Sequence, residues 1–177
     1  GSEMCIRDSF TEAASVAKLA EKAKKKLGGQ PVTSIVVDNS IRSGDLFNKT
    51  WDREDIDGGN VANLDAVMLD AGRLDPYTSD SARSHNPGED VGRALADALG
   101  ADAEVTVSKE MTPSLGDQGP IASVKSAPLS VRLRDMLVHS DNIMAEAIGR
   151  EIAEARGKPQ TFEGATSATC LLYTSPS

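Results

Sequence analysis

The sequence predicts a mixed α/β (α+β) chain, and three observations carry that expectation. Apolar residues recur at helical spacing in three stretches, near 13–27, 87–99 and 129–156. Short apolar or β-branched runs at 32–37, 66–69, 105–107 and 121–124 stand between turn residues and read as strands. No internal repeat and no low-complexity segment interrupts this alternation.

The elements follow in order. Ser9-Phe10-Thr11-Glu12 has the spacing of a capping box, which opens a helix by satisfying its first free N–H groups. Ala13, Val16, Ala17, Ala20 and Leu27 form its apolar face beside a lysine-rich one, and Gly28-Gly29 ends it. The strand at 32–37 closes on the turn Asp38-Asn39-Ser40. Residues 41–63 are polar, with Trp51 as their one large anchor, and the strand at 66–69 precedes a loop over 71–86. Pro87 suits the first position of a helix, Val91, Leu95, Ala98 and Leu99 give it an apolar face, and Gly100 suits its C-terminal cap. Two short strands follow, separated by a Gly/Pro loop. Leu129, Leu133, Met136 and Leu137 then make a helical stripe that Ser140-Asp141-Asn142 interrupts. A second helix over about 143–156 turns Met144, Ala147, Ile148, Ile152 and Ala155 to a core and stops at Gly157 and Pro159.

Composition limits the function. Of the 177 residues 39% are hydrophobic and 26% charged, as in a soluble globular protein, while aromatics are only 3%, so the core rests on aliphatic side chains. A net charge of -8 argues against nucleic acid as partner and against charge-driven binding to an anionic membrane. No apolar run approaches the roughly 20 residues of a membrane span, and the chain as given shows no secretory leader. Cys5 and Cys170 define no disulfide framework.

Ser140-Asp141-Asn142 is the candidate site. A hydroxyl and a carboxamide separated by one residue can reach one cleft from a tight helix-to-helix junction. The hydroxyl can relay a proton between a separate serine nucleophile and a leaving amine. The amide can hold a substrate backbone by donating and accepting hydrogen bonds. Alone the tripeptide is weak, since these residue types favour turns and caps, and Ser84-His85-Asn86 fits the same pattern. The flanking sequence strengthens it. Ser126-Ala127-Pro128-Leu129, Met136-Leu137-Val138-His139 and Ser140-Asp141-Asn142-Ile143-Met144-Ala145-Glu146 stand in that order. Upstream lie Val36-Val37-Asp38-Asn39-Ser40-Ile41, Trp51, and the run from Val61 through Leu69-Asp70-Ala71-Gly72-Arg73.

This ordered set, covering about residues 10–168, resembles the D-alanyl-D-alanine carboxypeptidase/endopeptidase family, the class C low-molecular-mass penicillin-binding proteins. Their catalytic motifs are S-x-x-K, S-D-N and K-T-G. The sequence departs from the family pattern at Arg42, where an aromatic is usual, and in lacking K-T-G and the D-G-S-G-L segment, both of which belong beyond residue 168. Lys49-Thr50-Trp51 imitates K-T-G far too early. Ser15-Val16-Ala17-Lys18 satisfies S-x-x-K, but it opens a cationic, solvated helix that resembles the one just before the family's domain-opening strand, so Ser15 is not expected to be the nucleophile. Aligning Gly58 to the glycine of an EF-hand loop puts Arg53 and Leu64 at ligand positions that should be acidic, so 52–58 is expected to be a solvated acidic loop. His85 and His139 suggest surface or helix-end positions rather than a metal site.

The resemblance implies a fragment of a penicillin-binding/serine β-lactamase-like α/β/α domain plus an inserted α/β domain. Residues 10–120 would be the inserted accessory domain and 121–168 part of the penicillin-binding domain. Residues 1–9 and 169–177 contain Met4-Cys5-Ile6-Arg7-Asp8-Ser9 and Cys170-Leu171-Leu172-Tyr173-Thr174-Ser175-Pro176-Ser177, which resemble translated sequencing-adapter DNA and are expected to be artefact. By resemblance Ser140 and Asn142 are catalytic, Asn142 also binds substrate, and Asp141 shapes the junction. The substrate would be a peptidoglycan stem peptide ending in D-Ala-D-Ala, with β-lactams as inhibitors of the full enzyme and no metal or organic cofactor. The parent would work outside the cytoplasmic membrane, and this fragment, lacking the nucleophile, would be inactive alone. The alternatives are a non-enzymatic cell-wall-associated or partner-binding module, and a related serine β-lactamase or esterase. The upstream blocks argue against the last.

Overall fold

In the computed structural model, which describes residues 4–6, 15–42, 44–78, 80–110 and 119–174, helices and short strands alternate along most of the chain. They are β1 (Met4–Ile6), α1 (Val16–Leu27), β2 (Ser34–Asp38), α2 (Glu54–Asp57), β3 (Val67–Leu69), α3 (Pro87–Leu99), β4 (Glu104–Ser108), α4 (Leu129–His139), α5 (Asn142–Ala155) and α6 (Phe162–Thr174). The described strands form two parallel pairs, β1 with β3 and β2 with β4. The fold is therefore mixed α/β with small parallel sheets.

Two packing centres organise it. In the first, α1 and α3 lie together, with α3 against β2 and β4. Val16, Ala20 and Ala23 of α1, Val91 and Ala96 of α3, and Val37 of β2 are buried. The contact is close enough that a Cβ on Gly92 would collide with Val105 Cγ1, so only glycine lets α3 approach the sheet this far. A buried polar pin fixes the register. Asn39 Nδ2 donates to Asp65 Oδ1 at 2.6 Å, Asn39 Oδ1 accepts from Ala66 N at 2.7 Å, and Asp65 Oδ2 accepts from Gly88 N at 2.6 Å. That last bond places a carboxylate at the N-terminus of α3, where free N–H groups and the helix dipole favour it.

The second centre is a cluster of Phe47, Ile56, Val61, Ala62, Leu64, Met68, Ala71, Ile143 and Ala147, with Trp51 packed against it. Trp51 meets Phe47 edge to face, centroids 5.6 Å apart. Thus α5 enters the same core as residues 47–71. On its other side α5 packs on α6, where a Cβ on Gly149 would stand 3.2 Å from Ala165 Cβ.

Several expectations need correction. The strand expected at 121–124 does not form. Ile121 is exposed, and Lys22 Nζ of α1 donates to Ser123 O at 2.8 Å instead. Residues 41–63, expected as a polar connection, carry four members of the second core, Phe47, Ile56, Val61 and Ala62, because most of their few apolar residues turn inward while Ile41 stays exposed. The expected acidic loop over 52–58 contains α2, whose Ile56 is fully buried. The helix α6 had no strong apolar stripe to announce it; its small residues pack by close approach rather than by bulk. The capping box at Ser9 and the apolar Ala13 lie outside the described residues. Among the described residues no helix is long and apolar enough to cross a membrane.

Candidate active site

Ser140-Asp141-Asn142 joins α4 to α5, and each of the three residues has a different task. Ser140 ends α4 in the left-handed conformation (φ 52, ψ 43). A serine held there is strained, because its Cβ crowds the backbone in a region that favours glycine. Ser140 N and Asp141 N both donate to Met136 O, which reverses the chain within one residue. Asp141 then caps α5, its Oδ1 accepting from Ile143 N and Met144 N, both at 3.0 Å. Asn142 is the first residue of α5, and its Nδ2 donates to Asn60 O at 3.2 Å. Ser140 and Asn142 are exposed, whereas Asp141 between them is buried.

The buried aspartate is answered by two buried arginines. Arg73 Nη1 lies 2.7 Å from Asp141 Oδ2, and Arg83 Nη2 lies 3.5 Å from Oδ1; the three side chains are 5%, 3% and 0% exposed. The Arg73 contact is off the hydrogen-bond direction at Oδ2, so charge attraction dominates it. Burial alone would raise the Asp141 pKa. The Arg83 charge, the Met144 N–H and Arg73 outweigh it and hold the carboxyl below its usual range.

The backbone that delivers these arginines is also unusual. Asp70, Ala71 and Gly72 are all left-handed, with φ of 46, 56 and 81. Arg73 and Arg83 then face each other in an isolated antiparallel bridge. Arg83 Nε donates to Gly59 O at 2.8 Å and its Nη1 to Ala71 O at 2.6 Å.

Asn142 borders an open groove of about 720 Å³, whose walls include Trp51, Asn60, Val61, Phe162 and Thr166. On the α4 side, Arg132 reaches across to Glu151 of α5 with two bonds, Nη1 to Oε1 at 2.5 Å and Nη2 to Oε2 at 2.7 Å.

The other sequence candidates have structural explanations. Ser15 Oγ accepts from Lys18 N at 3.0 Å and so caps α1, while Lys18 is exposed. Ser84 Oγ accepts from Asn86 N just before α3. Arg42 is buried where the family has an aromatic, and its Nη1 donates to Gln160 Oε1 at 3.0 Å. His139 Nδ1 lies 3.0 Å from Asp135 O at the end of α4, and His85 pairs with Asp57 at 3.0 Å on the surface. Among the described residues no group of three or more His, Cys, Asp or Glu could hold a metal ion. Sequence reasoning missed Arg83 altogether and used Arg73 only as part of a family block. Their sole local signal was a pair of arginines flanking a turn-rich segment.

Comparison with known proteins shows the family of the chain. The profile of the D-Ala-D-Ala carboxypeptidase 3 (S13) family matches residues 76–171, just over half of the chain and inclusive of the Ser140 junction. Carboxypeptidase DacB of Mycolicibacterium smegmatis is 49% identical over 161 residues, 90% of this chain and 34% of that protein. Carboxypeptidase Rv3627c of Mycobacterium tuberculosis is 45% identical over 157 residues, 88% of this chain and 33% of that protein. The chain thus spans about a third of the length of the curated relatives it matches. No solved structure matches it significantly. The profile covers the α4–α5 junction, both relatives are carboxypeptidases matched over almost all of this chain, and on that basis the chain belongs to the D-Ala-D-Ala carboxypeptidase 3 (S13) family.

Proposed function

We propose that this chain is an internal segment of a serine-type D-Ala-D-Ala carboxypeptidase or endopeptidase that acts on peptidoglycan stem peptides outside the cytoplasmic membrane. The observation that carries the reading is the division of labour at the junction. Two groups able to handle a proton and a peptide backbone, Ser140 and Asn142, are exposed, and the residue between them is buried and fixed.

In this reading a serine outside the chain attacks the carbonyl of the terminal peptide bond and forms an acyl-enzyme, and the D-alanine amine leaves. Ser140 Oγ relays the proton from the nucleophile to that amine. Asn142 exchanges its bond to Asn60 O for one to the substrate backbone and holds the carbonyl in line. Water then releases the acyl group, and a β-lactam would instead leave a long-lived acyl-enzyme. Residues 121–168 would belong to the α/β/α penicillin-binding domain and 10–120 to an insertion. The insertion would not hang from a linker, since Ile143 and Ala147 of α5 share a core with Phe47, Ile56 and Leu64.

Fluorescent penicillin tests this. The 177-residue chain should take up no label, while the longer chain obtained by extending the source DNA in both directions should take up one equivalent on an upstream serine. Stoichiometric label on Ser15 of the short chain would overturn the assignment of Ser15 as a helix cap. Absence of label on the longer chain would favour a non-enzymatic wall-binding role.

A further inference from the structure

We propose that Arg73 and Arg83 act as a two-arginine clamp that positions Ser140 and Asn142 by holding Asp141; this rests on the catalytic reading of that pair.

Asp141 has no rotational freedom to spare. Its Oδ1 accepts two α5 amides and faces Arg83, while its Oδ2 faces Arg73. The carboxylate is thus gripped from both sides, by the helix that begins at Asn142 and by a segment about sixty residues upstream. Because Asp141 is covalently joined to Ser140 and Asn142, fixing its side chain sets the direction in which each neighbour leaves the junction. Two features show that the grip does more than neutralise a buried charge. Ser140 keeps a left-handed backbone that an unconstrained serine would relax. On the opposite side, three successive left-handed residues, two of them not glycine, immediately precede Arg73, whose side chain is buried against Asp141. Strain on both sides of one ion contact is what a held geometry requires, because each strained segment persists only while its surroundings over-determine it.

Arg83 supplies rigidity as well as charge. Besides Asp141 it ties Gly59 O, Ala71 O and, through its own N–H, Ile56 O. Gly59 adjoins Asn60, whose carbonyl accepts from Asn142 Nδ2. The clamp therefore reaches Asn142 by two routes, through Asp141 and through the 59–60 backbone. Neither arginine lines the groove beside Asn142, so their role is positioning rather than catalytic. Because charge attraction dominates the Arg73 contact, a lysine there keeps what holds Asp141 Oδ2 and loses only the planar fork.

The test uses Arg73→Met and Arg73→Lys in the longer chain, with two readouts. The first is the rate of acylation by fluorescent penicillin at a temperature where melts show each variant folded. The second is hydrogen exchange of the Ile143 and Met144 amides, compared with Val91 in α3. The clamp predicts at least about a 30-fold loss of acylation rate for Arg73→Met and recovery of most of it in Arg73→Lys. It also predicts at least about tenfold faster exchange at Ile143 and Met144, with Val91 unchanged. Unchanged exchange at those two amides overturns the clamp whatever penicillin does. Faster exchange with an unchanged acylation rate also overturns it as a positioning device. A wild-type protein that takes no label, but whose junction amides respond as stated, supports the clamp's hold on the junction and overturns the enzymatic reading instead.

Discussion

The two helices that meet at Ser140 are held in opposite ways. α5 buries Ile143, Met144, Ala147, Ile148, Arg150 and Ala153, shares the second core, and carries a capped, charge-clamped N-terminus. α4 buries none of its residues; Leu137 and Val138 are 73% and 68% exposed. Its ties include the Arg132–Glu151 pair, the Arg132 Nε bond to Ala127 O and the left-handed turn at Ser140. The junction is therefore fixed from the α5 side, and α4 follows. Fixing one side is enough to present Asn142, which belongs to α5, but Ser140 depends on both helices.

The sharpest way to break this asymmetry is Asp141→Ala. It leaves two buried arginines facing each other and removes the α5 cap, and should cost about 3–5 kcal/mol in denaturant unfolding. Ile143→Ala comes next, at about 3 kcal/mol, as a truncation in a filled core. Acid should weaken the same side. The Asp141 carboxyl titrates lower folded than unfolded, so its contribution is complete above the unfolded aspartate value and disappears as pH falls through the folded one. Thermal melts from roughly pH 5 downward should show this loss, and Arg73→Met should move it to higher pH. Arg132→Ala, which cuts a partly exposed tie on the α4 side, should cost about 1 kcal/mol or less. Leu137→Ala should stay within about 0.5 kcal/mol, since Leu137 packs on little. If Leu137→Ala cost as much as Ile143→Ala, α4 would have a buried face and the asymmetry would be wrong.

How much of this was legible beforehand depends on whether a feature is local. The helices α3 and α5 were readable because their signals lie within one segment: Pro87 and Gly100 punctuate the first, and Met144, Ala147 and Ile148 stripe the second. The tripeptide at 140–142 was readable for the same reason, together with the order of blocks around it. What was not readable depends on contacts far apart in sequence. Phe47, Ile56 and Val61 are scattered among polar residues, so no window reveals that they meet Ile143. Ile121-Ala122-Ser123-Val124 has strand propensity but pairs with none of the described strands. Arg83 looks like any loop arginine until Asp141, many residues later, is folded beneath it. A buried ion contact has no period, and sequence patterning detects periods.

The most direct test of the central claim is the second-order rate of acylation by fluorescent penicillin in the longer chain, wild type against Asn142→Ala, with melts on both. Asn142 is exposed and bonded only to Asn60 O in the described structure, so its loss should leave the melting temperature nearly unchanged. The account predicts a fall of about 100-fold or more in rate, the size expected when a group aligning the reacting carbonyl is removed. Acylation at the wild-type rate by a stably folded Asn142→Ala protein would contradict it.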